Sequence, residues 1–295
     1  MACAKLWGKI VSSRDSYPEE LKTAPNFGAV DGFPVKVYLN GEYNGVYNFT
    51  THKDAKMFGM NDNNTNHALL QAEFNDNGND SYAINPCNFN TSWDGSSTYF
   101  STQVGSDSPT TIISAFNNIY SSLGSSNLEN YLDIDSLIDY YIFQDVILGT
   151  DGLAKNMLLA TYDMTKWYLS AYDLDSTFGL TWEGDMVNVY DTTLFTSDGN
   201  LDVGSPYLNI YSQLLQEIGT YYWDRYKARY AELRNSVLSY SSIMAEIENY
   251  FRVYSDLYIE ETSIYPDIPA ITENTIAYIR DFVKQHLEYL DARYL

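Results

Sequence analysis

The sequence predicts an α+β fold, with antiparallel β-hairpins in the N-terminal and middle parts and a helical C-terminal part. Three observations carry this. Residues 34–50 alternate apolar and polar side chains about Asn40-Gly41. Residues 157–172 hold two short, aromatic-rich apolar runs about a polar break. From Pro109, and again beyond Tyr207, apolar residues recur at helical spacing. At 295 residues and 45% hydrophobic content the chain can build one large core or two lobes.

Taken in order, residues 1–27 read as a basic, helical lead-in, frayed at its start and turning at Tyr17-Pro18. Residues 34–39 and 45–50 form the first hairpin, because Asn-Gly tolerates the positive φ angles of a tight turn. Lys53 leaves its second strand at the rim. It reads either as a phosphate contact or as a solvated lysine. Residues 57–110 are rich in Asn, Asp, Ser and Gly, with one strand at 68–74. Glu73 reads as an exposed strand-end carboxylate, with a lysine partner as the alternative. Residues 75–80 lack the register of a calcium loop and read as an Asx-rich turn. Residues 87–109 read as a long loop or lid.

Ile112, Ile113, Phe116, Ile119 and Tyr120 then fall at helical spacing, and residues 132–148 do so again. In that second helix Asp133 and Asp135 complement the N-terminal dipole, and Asp139 and Asp145 complete a set read as caps and solvated face. Gly149 ends it. Asp151 follows at once, at a junction suited to hold a group rigidly.

The runs 157–162 and 167–172 have strand length, and Asp163-Met164-Thr165-Lys166 breaks them. With Met164 and Thr165 at the tip, Asn156 lies directly across from Asp173, about 5 Å away at Cβ. Side-chain alternation puts Asp175 on the same face, with Asp151 just upstream of the first strand. A hard cation such as magnesium suits this group, since it takes oxygen ligands, keeps several waters and completes its shell with substrate phosphates. The plainer readings are an acidic hairpin end and, for Asp151, an Asx turn. Phosphoryl transfer asks for a carboxylate to receive a hydroxyl proton, an amide and a carboxylate to hold metal, and donors for phosphates. Asp151, Asn156 and then Asp173 ahead of Phe178-Gly179 follow the order of a protein-kinase catalytic loop, although here the last element reads Asp173-Leu174-Asp175-Ser176-Thr177-Phe178-Gly179.

Two stretches together resemble the CotH kinase family, atypical protein-kinase-like proteins first associated with bacterial spore coats. Leu39-Asn40-Gly41-Glu42-Tyr43-Asn44-Gly45-Val46-Tyr47 resembles the signature NGxYxGxY, and Tyr172-Asp173-Leu174-Asp175-Ser176-Thr177-Phe178-Gly179 resembles WDxDxTFG with Tyr172 for Trp. The resemblance implies a kinase-like layout, with a β-rich nucleotide-side lobe at 1–110 and a lobe at 111–295 carrying the catalytic hairpin and helical tail, together one catalytic domain. It implies ATP- and Mg2+- (or Mn2+-) dependent phosphorylation of Ser or Thr on a surface protein of a spore, cell or particle. Asp151 matches the catalytic Asp, the base or proton acceptor, and Asp173 a metal ligand, with Asn156 and Asp175 as further metal ligands and Lys53 and Lys155 on the nucleotide. Lys155 reads equally as an offset to the local carboxylates. Two departures stand against activity. Thr51 occupies the position where many members carry Glu, although Lys53-Asp54 fits another branch. The stretch before the first signature is also short for the family's basic, Gly-containing segment, which leaves the completeness of the nucleotide pocket open. The alternative is a catalytically silent structural or binding module of a cell, spore or phage-particle surface.

Composition narrows the partners. A formal charge of −22 argues against nucleic acid and anionic membranes, both of which demand clustered cations. Between Met57 and Tyr222 the only Lys or Arg residues are Lys155 and Lys166, so Lys53 and Lys56 lead as phosphate contacts. The scattered His52, His67 and His286 suggest neither a zinc site nor a Ser-His-Asp triad. Cys3 and Cys87 cannot build a disulfide framework. No apolar run reaches the roughly 20 residues of a membrane span, and the first residues lack a signal core, so an export address would lie outside this chain. Twenty-eight tyrosines leave a sugar-binding or self-assembling surface as an option.

Overall fold

The chain opens with helix α1 (Ala2–Ser12), and that helix is core: Leu6, Trp7 and Ile10 are wholly buried. The structure, a computed structural model, describes residues 1–72, 100–105, 109–153, 156–181, 183–202, 210–267 and 271–295. The Trp7 indole donates to Ser170 Oγ at 2.9 Å, and its ring meets Tyr140 and Phe143. Cys3 is buried against Thr177. The expected fraying fails because this helix spends its apolar stripe on the interior. A short helix, α2 (Glu19–Thr23), follows.

Strands β1 (Gly32–Leu39) and β2 (Glu42–Thr50) pair as a two-stranded antiparallel sheet. Asn40 and Gly41 both take positive φ, 52° and 89°, as the Asn-Gly turn predicts. The main sheet is built from β3 (Ala68–Ala72) and β4 (Phe100–Gly105), and later from β5 (Met157–Thr161) and β6 (Trp167–Ala171). Its order is β4-β3-β5-β6, antiparallel throughout. Strand β4 corrects the expectation of a loop across 87–109. Its pairing to β3 and the burial of Phe100 and Val104 make it a strand despite its polar intervening residues, with the Phe100 ring 4.8 Å from Phe116. Glu73, residues 75–80 and Cys87 lie outside the described residues.

Helices α3 (Pro109–Ser122), α4 (Leu128–Tyr131) and α5 (Ile134–Ile147) precede the β5–β6 hairpin. Asp133 caps α5 by accepting from Ser136 N at 2.7 Å, as its position predicts. The rest of that helix departs from expectation. It packs against α1 and β6 and against two later helices, Trp223–Arg234 and Glu273–Tyr294, so Asp139 and Asp145 are buried rather than solvated. Asp139 accepts from Arg14 Nη2 at 2.9 Å and from Arg229 Nε at 2.8 Å. Burial pushes its carboxyl up, and the two guanidiniums pull it back.

Beyond β6 come α6 (Ile210–Glu217), α7 (Trp223–Arg234), α8 (Tyr240–Ile264) and α9 (Glu273–Tyr294). Leu214, Leu215, Ile218, Tyr226, Tyr230, Leu233, Ile276, Ile279, Phe282 and Val283 are buried, as their helical spacing predicts. The far end of α8 holds the first sheet. Glu261 accepts from Val46 N at 2.6 Å, Glu260 pairs with Lys36, and Tyr265 beyond the helix donates to the Tyr43 carbonyl at 3.1 Å. Among the described residues no helix is long and apolar enough to cross a membrane.

Replacing Asp139 with Ala removes the buried carboxylate that Arg14 and Arg229 share and leaves them only their more exposed partners, Asp135 and Glu232. Urea unfolding of Asp139→Ala is expected to show a loss of about 3–5 kcal/mol. A loss below about 1 kcal/mol would mean that the cluster relaxes to water.

Candidate functional site

The β5–β6 hairpin closes through a five-residue loop, since Thr161 pairs with Trp167. Asp163 Oδ1 accepts from Thr165 N and Lys166 N, both at 2.8 Å, and Met164 takes a φ of 56°. This Asx turn centres the hairpin on Met164 alone and shifts the register by one from expectation. In a regular ladder Asn156 would then face Tyr172. It meets Asp173 nevertheless, because both leave the pleat at positive φ, 65° for Asn156 and 56° for Asp173. Asn156 Nδ2 donates to Asp173 Oδ2 at 3.3 Å, and Asn156 N donates to the Ala72 carbonyl at 3.1 Å. Asn156 is buried while Asp173 is exposed.

Lys53 arrives beside this pair from the end of β2. Its ammonium lies 4.7 Å from the centre of the Tyr172 ring and donates to the side-chain oxygen of Gln71 on β3. Burial, and then the neighbouring Asp173 charge, push the Tyr172 phenol up, so it stays neutral. Lys56 sits apart with Phe33, Phe49 and His52 around a separate cavity of about 370 Å³. Lys155 lies outside the described residues.

The segment after Asp173 is fixed by its Phe-Gly end. Asp175 is exposed and accepts from Ser176 N at 2.9 Å. Phe178 is buried and donates its N–H to the Ile147 carbonyl at 2.6 Å, tying the segment to the end of α5. Gly179 has a φ of 72°, and a Cβ there would fall 2.5 Å from Phe282 and from the Tyr278 hydroxyl. That hydroxyl sits between the carbonyls of Gly179 at 2.9 Å and Val187 at 2.7 Å, tying the outgoing chain to α9.

Asp151 lies in a 3-10 turn, Thr150–Leu153, directly after α5. The left-handed residue that ends the helix is Leu148, at φ 50°, and not Gly149 as the sequence suggests. Gly149 and Gly152 serve a different need, because a Cβ on either would fall within 2.5 Å of the Gln144 side-chain amide. The Tyr140 hydroxyl donates to the Gly152 carbonyl at 2.6 Å. Asp151 lines a cavity of about 490 Å³ together with Gln144, Leu148, Ser176, Leu180 and Val187. Asn156, Asp173 and Lys53 do not line it.

The structure therefore brings Asn156 to Asp173 and Lys53 to their side, and sets Asp151 on an adjoining cavity. Among the described residues no three His, Cys, Asp or Glu side chains converge as a metal cage. An amide and a carboxylate with open water positions are a donor set of the kind magnesium uses with substrate phosphates. Sequence reasoning missed Gln71, Tyr172 and Gln144. Tyr172 left a signal as the residue at the signature's Trp position, and Gln144 as an amide inside the apolar run of α5.

A family model described as "CotH kinase protein" matches residues 20–290. No curated protein matches the chain.

Substituting Ala for Gly152 drives a methyl into the Gln144 amide. Gly152→Ala is expected to cost about 1–3 kcal/mol in chemical unfolding, the usual penalty for overpacking. An unchanged unfolding midpoint would show that Gln144 moves aside freely.

Proposed function

Because the chain belongs to the CotH kinase family, we propose that it moves the γ-phosphoryl group of ATP onto Ser or Thr of a protein at a spore, cell or particle surface. In this reading residues 1–110 supply the nucleotide side of a kinase-like layout. Residues 111–295 supply the catalytic hairpin and helical tail, and the two make one catalytic domain. The observation that carries it is the Asn156–Asp173 hydrogen bond with Lys53 held against the adjacent Tyr172. That bond uses the Asn156 amide nitrogen, so its Oδ1 is the atom left for a hard cation.

The roles follow from the donor types. Asp173 and Asn156 hold the metal, and exposed Asp175 is a further ligand or orients one. When bound, magnesium or manganese neutralises phosphate charge. Lys53 contacts phosphate as a point charge, and Lys155 is assigned the same role by its place before Asn156. Asp151 accepts the proton of the acceptor hydroxyl as its oxygen bonds to phosphorus and the bond to the ADP oxygen breaks. A second reading, a catalytically silent surface module, is favoured by Thr51 and by the placement of Asp151 on a cavity that Asn156 and Asp173 do not line.

Titration with ATP and magnesium separates the two. A ligand at a hundred times its dissociation constant stabilises by about 2.7 kcal/mol, so the melting temperature is expected to rise. Asp173→Ala and Lys53→Ala are each expected to abolish most of that rise. No shift in the intact protein, or an equal shift in Asp173→Ala, would overturn the nucleotide reading.

A further inference from the structure

The cavity beside Asp151 is lined by a buried polar group that no well-formed hydrogen bond from the described residues satisfies. Gln144 is 2% exposed, and among the described residues neither its Oε1 nor its Nε2 has a partner in full hydrogen-bond geometry, the Tyr140 hydroxyl being a weaker neighbour. Such an amide is costly to leave unpaired and is retained where something else completes it. Tyr140, one turn earlier on α5, gives its proton to Gly152 instead. Asp145, also on the wall, is already spent: its carboxylate accepts from Thr193 at 2.9 Å, Tyr294 at 2.6 Å and Leu194 N at 3.1 Å.

The remaining wall defines the occupant by exclusion. It holds Leu148, Leu153, Leu180, Val187, Val189 and Leu194, and among the described residues no Lys, Arg or His lines it, while Asp145 and Asp151 do. A phosphate, a nucleotide or an acidic chain therefore finds no counter-charge among the described residues there. The mouth is apolar as well. Met186, Val187, Val189 and Tyr190 are all more than a third exposed on one short stretch, an arrangement that marks a contact surface. A volume of about 490 Å³ lies inside the range of roughly 300–1,000 Å³ common to ligand pockets.

We propose that this cavity takes the acceptor polypeptide itself: an apolar side chain flanking the Ser or Thr fills the Leu- and Val-lined space, and the acceptor's main-chain amide pairs with Gln144. A carboxamide offers one acceptor and a donor in one plane, which matches the N–H and C=O of a peptide unit. With the flanking residue seated there, the hydroxyl residue is placed at Asp151 on the same wall. This assignment rests on the kinase reading for the meaning of Asp151, but the pocket's preference can be measured without turnover.

The probe is a set of fluorescein-labelled Ser-containing decapeptides, identical except for Leu, Ala or Glu beside the Ser, with binding read by fluorescence anisotropy. The Leu peptide is expected to bind about tenfold tighter than the Ala peptide, with the Glu peptide weakest. Val187→Glu, at an exposed position, and Gln144→Leu are each expected to weaken the Leu peptide by about tenfold or more. Circular dichroism melting shows whether each variant is folded, and the exposed Val187 site keeps the test alive if Gln144→Leu is not. Equal binding of the three peptides, no saturable binding, or full affinity in folded Val187→Glu would overturn the proposal. Peptide selectivity without an ATP-dependent thermal shift would instead retain the pocket and remove the kinase reading.

Discussion

Two carboxylates inside a helix with little contact to water set the terms for this fold. Helix α5 is buried along most of its length, and Asp139 and Asp145 on it need partners from elsewhere in the chain. Asp139 draws Arg14 from just beyond α1 and Arg229 from α7. Asp145 draws Thr193, Leu194 and Tyr294, the last from the end of α9. His286 adds a second tie, its ring nitrogens 2.7 Å from the Asp145 carbonyl and 2.8 Å from that of Tyr190. A buried charge without its partners costs several kcal/mol, so these requirements specify where the flanking helices lie. The end of α5, and with it the turn that carries Asp151, inherits its position from them.

The hairpins were readable because their signals are local. Asn40-Gly41 declares its own turn, and the aromatic runs around Asp163 declare theirs, although the count of loop residues depended on an Asx turn that composition does not specify. The burial of α1 was not readable in the same way. Leu6, Trp7 and Ile10 form a stripe, but what covers it is α5 and α8, more than a hundred residues on. Strand β4 was missed for a related reason, since six residues with Ser, Thr and Gln between Phe100 and Val104 become a strand only beside β3. Asp139 and Asp145 look like solvent-facing acids until the arginines and tyrosines that surround them are placed.

The candidate site divides along the same line. Asn156 and Asp173 meet within one hairpin, so their proximity followed from the chain itself, and the left-handed backbone at both positions preserved it through a shifted register. Lys53 reaches them because β3 runs beside β5, which puts Gln71 opposite Leu158 and the exit of β2 close to Tyr172. That is a property of topology, invisible in spacing. Asp151 lines a cavity walled by Ser176, Gly179 and the stretch through Leu194, a wall that Asn156 and Asp173 do not share. An edge carrying Asn156, Asp173 and Lys53 and an apolar pocket with no Lys, Arg or His among its described lining residues thus flank one short turn.

The first sheet exchanges backbone hydrogen bonds with none of the described strands of the second. Its bonds run to Glu261 and Tyr265, more than two hundred positions later. A ribosome finishes residues 32–50 long before it makes the prop they lean on. An isolated two-stranded ribbon is at best marginally stable in water. Vectorial synthesis therefore leaves this part of the molecule waiting until the C-terminal third has emerged.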